Sequence, residues 1–141
     1  MFEKRSIIVE GRAGALANYP HAKKVGPFLY VSGISSRRPD NSHEGVKIHE
    51  DGTVEKDCAL QTRAVIKNIE AILQSAGAEL SDLVDVTVFL VDMKDYAAFN
   101  SVYNEFFDAE TGPARTTVAV KELPHPNLLI EIKALAYLAQ S

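Results

Sequence analysis

The chain is poor in several features that would point to particular classes of protein. It has one cysteine, Cys58, and no tryptophan. A single cysteine excludes an intrachain disulfide and suits a reducing compartment. No apolar run approaches the ~18 residues of a membrane-spanning helix, and the first residues do not form a charged-then-apolar leader. These features predict a cytoplasmic protein with no membrane partner. Basic residues are not in excess, since 15 Lys and Arg stand against 19 Asp and Glu, a net charge of −4. Phosphate backbones are bound by basic surfaces, so no nucleic-acid partner is expected. His21, His43, His49 and His125 show none of the paired spacings of metal sites, so no metal is expected either. Repeats and low-complexity tracts are also missing.

What is present is ordinary globular composition. Hydrophobic residues make up 46% and charged residues 24% of 141 positions. That predicts a single domain, 1–141, with a core that needs no metal or disulfide staple.

The last forty residues organise the rest. Gly112-Pro113-Ala114-Arg115-Thr116-Thr117-Val118-Ala119-Val120 and Leu128-Leu129-Ile130-Glu131-Ile132-Lys133-Ala134-Leu135-Ala136-Tyr137-Leu138 flank a polar, Pro-bounded turn, Pro124-His125-Pro126-Asn127. Both arms are rich in β-branched and apolar residues and read as strands. Side chains alternate along a strand. Arg115 and Thr117 therefore share one face of the first arm. On the second, Ile130, Ile132, Ala134 and Ala136 share a face, and Glu131 lies opposite among Leu129, Leu135 and Tyr137. Ionised groups are costly to desolvate without partners. Two readings stay open: an Arg115–Glu131 ion pair or solvent edge, or a pocket in which Arg115 grips a carboxylate and Glu131 handles a proton or a water.

Upstream, Ser6-Ile7-Ile8-Val9 reads as an edge strand and 11–24 as a loop carrying Tyr19. Phe28–Ile34 is a strand in which Gly33 predicts a bulge or a close approach to the backbone. Ser35-Ser36-Arg37-Arg38-Pro39-Asp40 is a polar loop, and 46–48 a short strand ahead of the Asp51-Gly52 turn. Residues 57–76 carry a helical stripe of Leu60, Ala64, Val65, Ile69, Ile72, Leu73 and Ala76, with Asp57 as start and Gly77 as stop. Val84, Val86, Val88 and Leu90 line one face of the next strand. Tyr96, Phe99, Tyr103 and Phe106 form a second helical stripe, with Asn100 beside it. The expected fold is α+β, a sandwich of about six strands with two helices on one face. The other sheet face is also apolar and has no third helix to cover it, which predicts self-association.

Several of these stretches, in this order, resemble the Rid family (reactive intermediate deaminases, also called YjgF). They are Val31-Ser32-Gly33, then Thr87-Val88-Phe89-Leu90-Val91-Asp92 with Tyr96-Ala97-Ala98-Phe99-Asn100, then Pro113-Ala114-Arg115 with Leu129-Ile130-Glu131-Ile132. The likeness runs from about Leu16 to Leu138. It implies a chorismate-mutase-like domain, homotrimers that pair in some cases into hexamers, and active sites between subunits. The implied chemistry is hydrolysis of enamines and imines to ketones and ammonia without a cofactor. It implies Arg115 as the binder of a small-molecule carboxylate substrate, Glu131 as the holder of the attacking water, Tyr19 and Asn100 as pocket residues, and Gly33 as a backbone contact. Thr117 stands where the family often has cysteine.

Asn18-Tyr19-Pro20-His21-Ala22-Lys23, Ser35–Asp40 and His125-Pro126-Asn127 resemble one branch, the 2-aminomuconate deaminases of aromatic-compound degradation. Their product would be 4-oxalocrotonate (2-hydroxymuconate). A second substrate carboxylate would then need a donor, for which Arg37, Arg38 and His21 are the candidates. The alternatives are a generic deaminase of 2-iminoacids, a non-catalytic carboxylate-binding or protein-protecting module, and an RNA-cleaving protein.

Overall fold

A computed structural model describes residues 3–139, so the expected domain runs two residues beyond them at each end. The elements are β1 (Lys4–Ile7), β2 (Ala22–Val25), β3 (Phe28–Ile34), β4 (Val46–Ile48), β5 (Val54–Lys56), α1 (Cys58–Ser75), β6 (Leu83–Leu90), α2 (Tyr96–Phe106), β7 (Ala114–Ala119) and β8 (Ile130–Tyr137). Six strands form one mixed sheet in the order β1-β2-β3-β8-β6-β7, and β4 and β5 form a separate hairpin. β6 and β7 are parallel, and α2 is the crossover that such a pair requires. The expected α+β architecture is the observed one. Among the described residues no helix is long and apolar enough to cross a membrane.

Local chemistry sets the helix ends. The Asp57 carboxylate accepts from the Leu60 N–H at 3.0 Å and caps α1. Gly77, at φ +80°, supplies the left-handed residue beyond its end, where the Ala78 N–H returns to the Leu73 carbonyl at 2.8 Å. The core lies between the helices and one sheet face. Val65, Ile66, Ile69 and Leu73 of α1 and Phe99 of α2 pack there with Val86, Val88, Ile130 and Ile132 of the sheet.

Three details depart from the sequence reading. β2 overlaps the end of the segment 11–24 expected to be loop. Lys23-Lys24 breaks its apolar alternation, and it exists because Ala22–Val25 pairs with β3 on one side and β1 on the other. In β6 the register shifts between Leu83 and Asp85, so Leu83 is buried and Val84 is exposed. In α1 Leu60 is exposed, while Gln61 and Thr62 are buried in its place.

Among the described residues no helix covers the second sheet face. Phe28, Tyr30, Val118 and Tyr137 are exposed there, with Phe28 and Tyr137 rings 5.6 Å apart.

Candidate active site

Two groups of polar residues form, one on each face of the sheet. The first is built on β8. Ile130 and Ile132 are buried in the core, so alternation turns Glu131 to the uncovered face, where it is half-buried. Burial raises its pKa above the ordinary 4.5. β3 runs alongside and bulges between Val31 and Ile34. Gly33 sits in this bulge, and a Cβ there would come within 2.6 Å of Glu131 Oε2. The bulge and the close approach expected at Gly33 are thus one feature, and it leaves room for the carboxylate.

Glu131 lines a cavity of about 310 Å³, together with Gly33, Tyr19, His21, Arg37 and His125. His21 holds the cavity wall together. Its Nδ1 accepts from the Val9 N–H at 3.0 Å, so Nε2 carries the proton and donates to the Ala13 carbonyl at 2.8 Å. Neither ring nitrogen is left for a ligand. Arg37 donates to Asn41 Oδ1 at 2.7 Å and to the Gly14 carbonyl. Among the described residues it has no acidic partner. Arg38 lies outside the cavity lining, paired with Glu44 at 2.7 Å and bonded to Ser42 Oγ at 3.1 Å. The three candidate donors therefore separate: Arg37 has free charge in the cavity, His21 is spent on structure, and Arg38 is elsewhere.

Sequence reasoning passed over His43 and gave His125 no site role. Both line the cavity, with ring centroids 4.4 Å apart. His43 is buried, and its Nε2 has no partner among the described residues. Burial first, and then the nearby positive groups, push its pKa down. The only signal in the sequence was the turn motif His125-Pro126-Asn127, which carries no chemistry until the fold brings it beside His43.

The second group is built on β7. Arg115 points to the helix side, over the rings of α2. Its guanidinium carbon lies 4.7 Å from the Tyr103 centroid and 4.9 Å from that of Phe99, and it donates to the Tyr96 hydroxyl at 3.1 Å. Such stacking positions a guanidinium without neutralising it. Thr117 Oγ1, on the same side of β7, and Asn100 Oδ1, on the stripe of α2 that carries Tyr96 and Tyr103, are buried without partners. Burial raises the Tyr103 pKa, and the Arg115 charge opposes that.

Arg115, Thr117 and Asn100 thus belong to one group, and Glu131, Gly33, Tyr19, His21 and Arg37 to the other. The sheet separates them, so the Arg115–Glu131 ion pair left open by the sequence does not form within one chain. Among the described residues no group of three or more His, Cys, Asp or Glu could hold a metal ion.

The fold is thus a mixed sheet backed by two helices, of the α+β class, with an arginine that has no acidic partner among the described residues on one face and a half-buried glutamate on the other. The chain belongs to the Rid (YjgF/YER057c/UK114) family: residues 10–138 match the family model described as Endoribonuclease L-PSP. It is 41% identical to a RutC family protein of Pyrococcus abyssi, over 95% of this chain and 97% of that one. It is 40% identical to the 3-aminoacrylate deaminase RutC of Acinetobacter baylyi, over 95% of this chain and 98% of that one. The crystal structure of yeast YEO7 superposes with a TM-score of 0.83 at 34% identity, covering 97% of this chain and all of that one.

Proposed function

We propose that this protein is an enamine/imine deaminase, a cofactor-independent hydrolase of carbon–nitrogen bonds. The observation that carries the reading is the pair of half-sites. Each has buried or unneutralised polar groups of the kind a substrate would satisfy, and neither is complete alone. The relative named 3-aminoacrylate deaminase supports the same class of chemistry.

The half-sites meet if the edge strand β7 of one copy sits against the uncovered sheet face of another, so that Arg115 of the first approaches Glu131 of the second. A homotrimer, alone or paired into a hexamer, would provide this. Arg115 then binds the substrate carboxylate through two parallel hydrogen bonds and holds the C=N carbon in place. Glu131 removes a proton from water as its oxygen bonds to that carbon, and the C=N electron pair moves to nitrogen, which takes up a proton. Collapse of the carbinolamine breaks the C–N bond and releases ammonia and a ketone. General-base help of this kind is worth on the order of 10² to 10⁴ in rate. Asn100, Thr117, Tyr19 and the Gly33 backbone are polar groups available to the bound substrate.

The finer reading is 2-aminomuconate deaminase acting in the cytoplasm, giving 4-oxalocrotonate (2-hydroxymuconate). It rests on the loop stretches around Tyr19, Arg37 and His125 and on the size of the cavity. RNA cleavage is disfavoured by the net charge of −4.

The test is ammonia release from freshly generated 2-aminomuconate, 2-aminoacrylate and 3-aminoacrylate, with Arg115→Ala in parallel. The expected result is release that depends on Arg115 and is fastest with 2-aminomuconate. Faster turnover of the three-carbon substrates would move the protein to the generic deaminases. No release from any of the three would leave a non-catalytic module.

A further inference from the structure

The cavity on the Glu131 side is larger and more basic than the reaction requires. At about 310 Å³ it matches the liquid volume of roughly ten waters, and a three-carbon enamine acid would fill only part of it. Glu131 is the one carboxylate among the described lining residues, against the guanidiniums of Arg12 and Arg37. Arg37 is held by two neutral acceptors, Asn41 Oδ1 and the Gly14 carbonyl. This fixes its fork without discharging it.

His125 lies in the same corner. The Asn127 N–H donates to its Nδ1 at 3.1 Å, so in the neutral ring the proton is on Nε2, which has no partner among the described residues. His43 joins the two. Its backbone bridges to that of Arg37, its ring packs on that of His125, and its buried Nε2 is unpaired. A corner with a fixed, unneutralised guanidinium and an imidazole N–H is matched by an anionic oxygen group.

We propose that Arg37 and the Nε2–H of His125 form a subsite that binds a second acidic group of the substrate within the cavity that Glu131 lines. This deepens the deaminase reading and rests on it for the position of the reacting carbon. It places the substrate among enamine dicarboxylates. Arg38 takes no part, because it lies outside the cavity lining and is paired with Glu44, and neither does His21, whose one donor is used by the Ala13 carbonyl and whose Nδ1 accepts from the Val9 N–H.

The test uses two unreactive probes that differ by one carboxylate, cis,cis-muconate and sorbate. Calorimetric titration of the full chain measures both affinities. A charge-assisted, forked contact is worth roughly tenfold to a hundredfold in affinity, so muconate should bind at least about tenfold more tightly. Arg37→Gln should bring muconate to the affinity of sorbate and leave sorbate unchanged. Arg37→Lys should keep part of the difference, and His125→Phe should reduce it by a smaller factor. Equal affinities in the wild type, or binding of neither probe, overturn the subsite without recourse to any variant. Equal weakening of both probes by Arg37→Gln also overturns it, because that would be a structural effect. Failure of the deaminase reading looks different: Arg37-dependent discrimination would persist, but Arg115→Ala would leave both affinities unchanged and no enamine acid would release ammonia.

Discussion

At the scale of single residues, Glu131 carries a conflict between function and stability. Its half-buried position favours the neutral acid and raises its pKa above 4.5. A general base must be ionised, so kcat/KM should rise with pH through this raised value, above the ordinary glutamate range. For stability the sign is opposite. The folded chain holds the proton more tightly than the unfolded one, so this group's contribution is full below pH 4.5 and is lost as pH rises through the folded-state value. Glu131→Gln removes the buried charge. It should lower kcat by about 10²- to 10⁴-fold and raise Tm at pH 7, with the Tm difference vanishing near pH 4. Thermal melts at the two pH values and a rate assay check both. A variant that is less stable at pH 7 would mean that the native carboxylate is satisfied by contacts not seen in one chain.

At the scale of elements, the decisive link is between α1 and the start of β8. Gln61 is buried in α1. Its amide donates to the Asn127 carbonyl at 3.0 Å, and its Oε1 accepts from the Leu129 N–H at 2.8 Å. One side chain thus ties the helix to the turn that delivers both His125 and Glu131 to the cavity. Gln61→Leu keeps the bulk but leaves two backbone groups unpaired, which should cost about 1–3 kcal/mol in denaturant unfolding. The loss of activity should exceed what that destabilisation explains. The boundaries of α1 were legible in the sequence because cap and stop are local: Asp57 and Gly77 act within one turn. Gln61 was not legible as a core residue. A polar residue reads as solvent-facing until its partners, 66 and 68 positions away, are known. β2 and the register shift in β6 were hidden for the same reason, because neighbouring strands decide both.

At the scale of the whole molecule, the proposed assembly rests on the uncovered sheet face. Aromatic and aliphatic groups are exposed across it, and apolar surface of this kind associates when a complementary copy is available. Sedimentation of the wild type should give the mass of three chains or a multiple of it. Tyr30→Asp would place a charge among these residues and should shift the population towards monomers. Monomers with native circular dichroism should have lost ammonia release, because Arg115 and Glu131 would no longer meet. Full activity in a monomer would end the two-copy site.

The sequence by itself determined the helices, the two strands that carry Arg115 and Glu131, which neighbours share a strand face with each of them, and the family. All of these follow from short-range periodicity, local capping and motif order. The tertiary structure alone decided that the two ionised residues lie on opposite sides of the sheet, that Arg37 but not Arg38 enters the cavity, and that His43 and His125 stack beside it. Those outcomes depend on register, bulges and chain crossings between distant segments, where a shift of one residue turns a side chain to the other face.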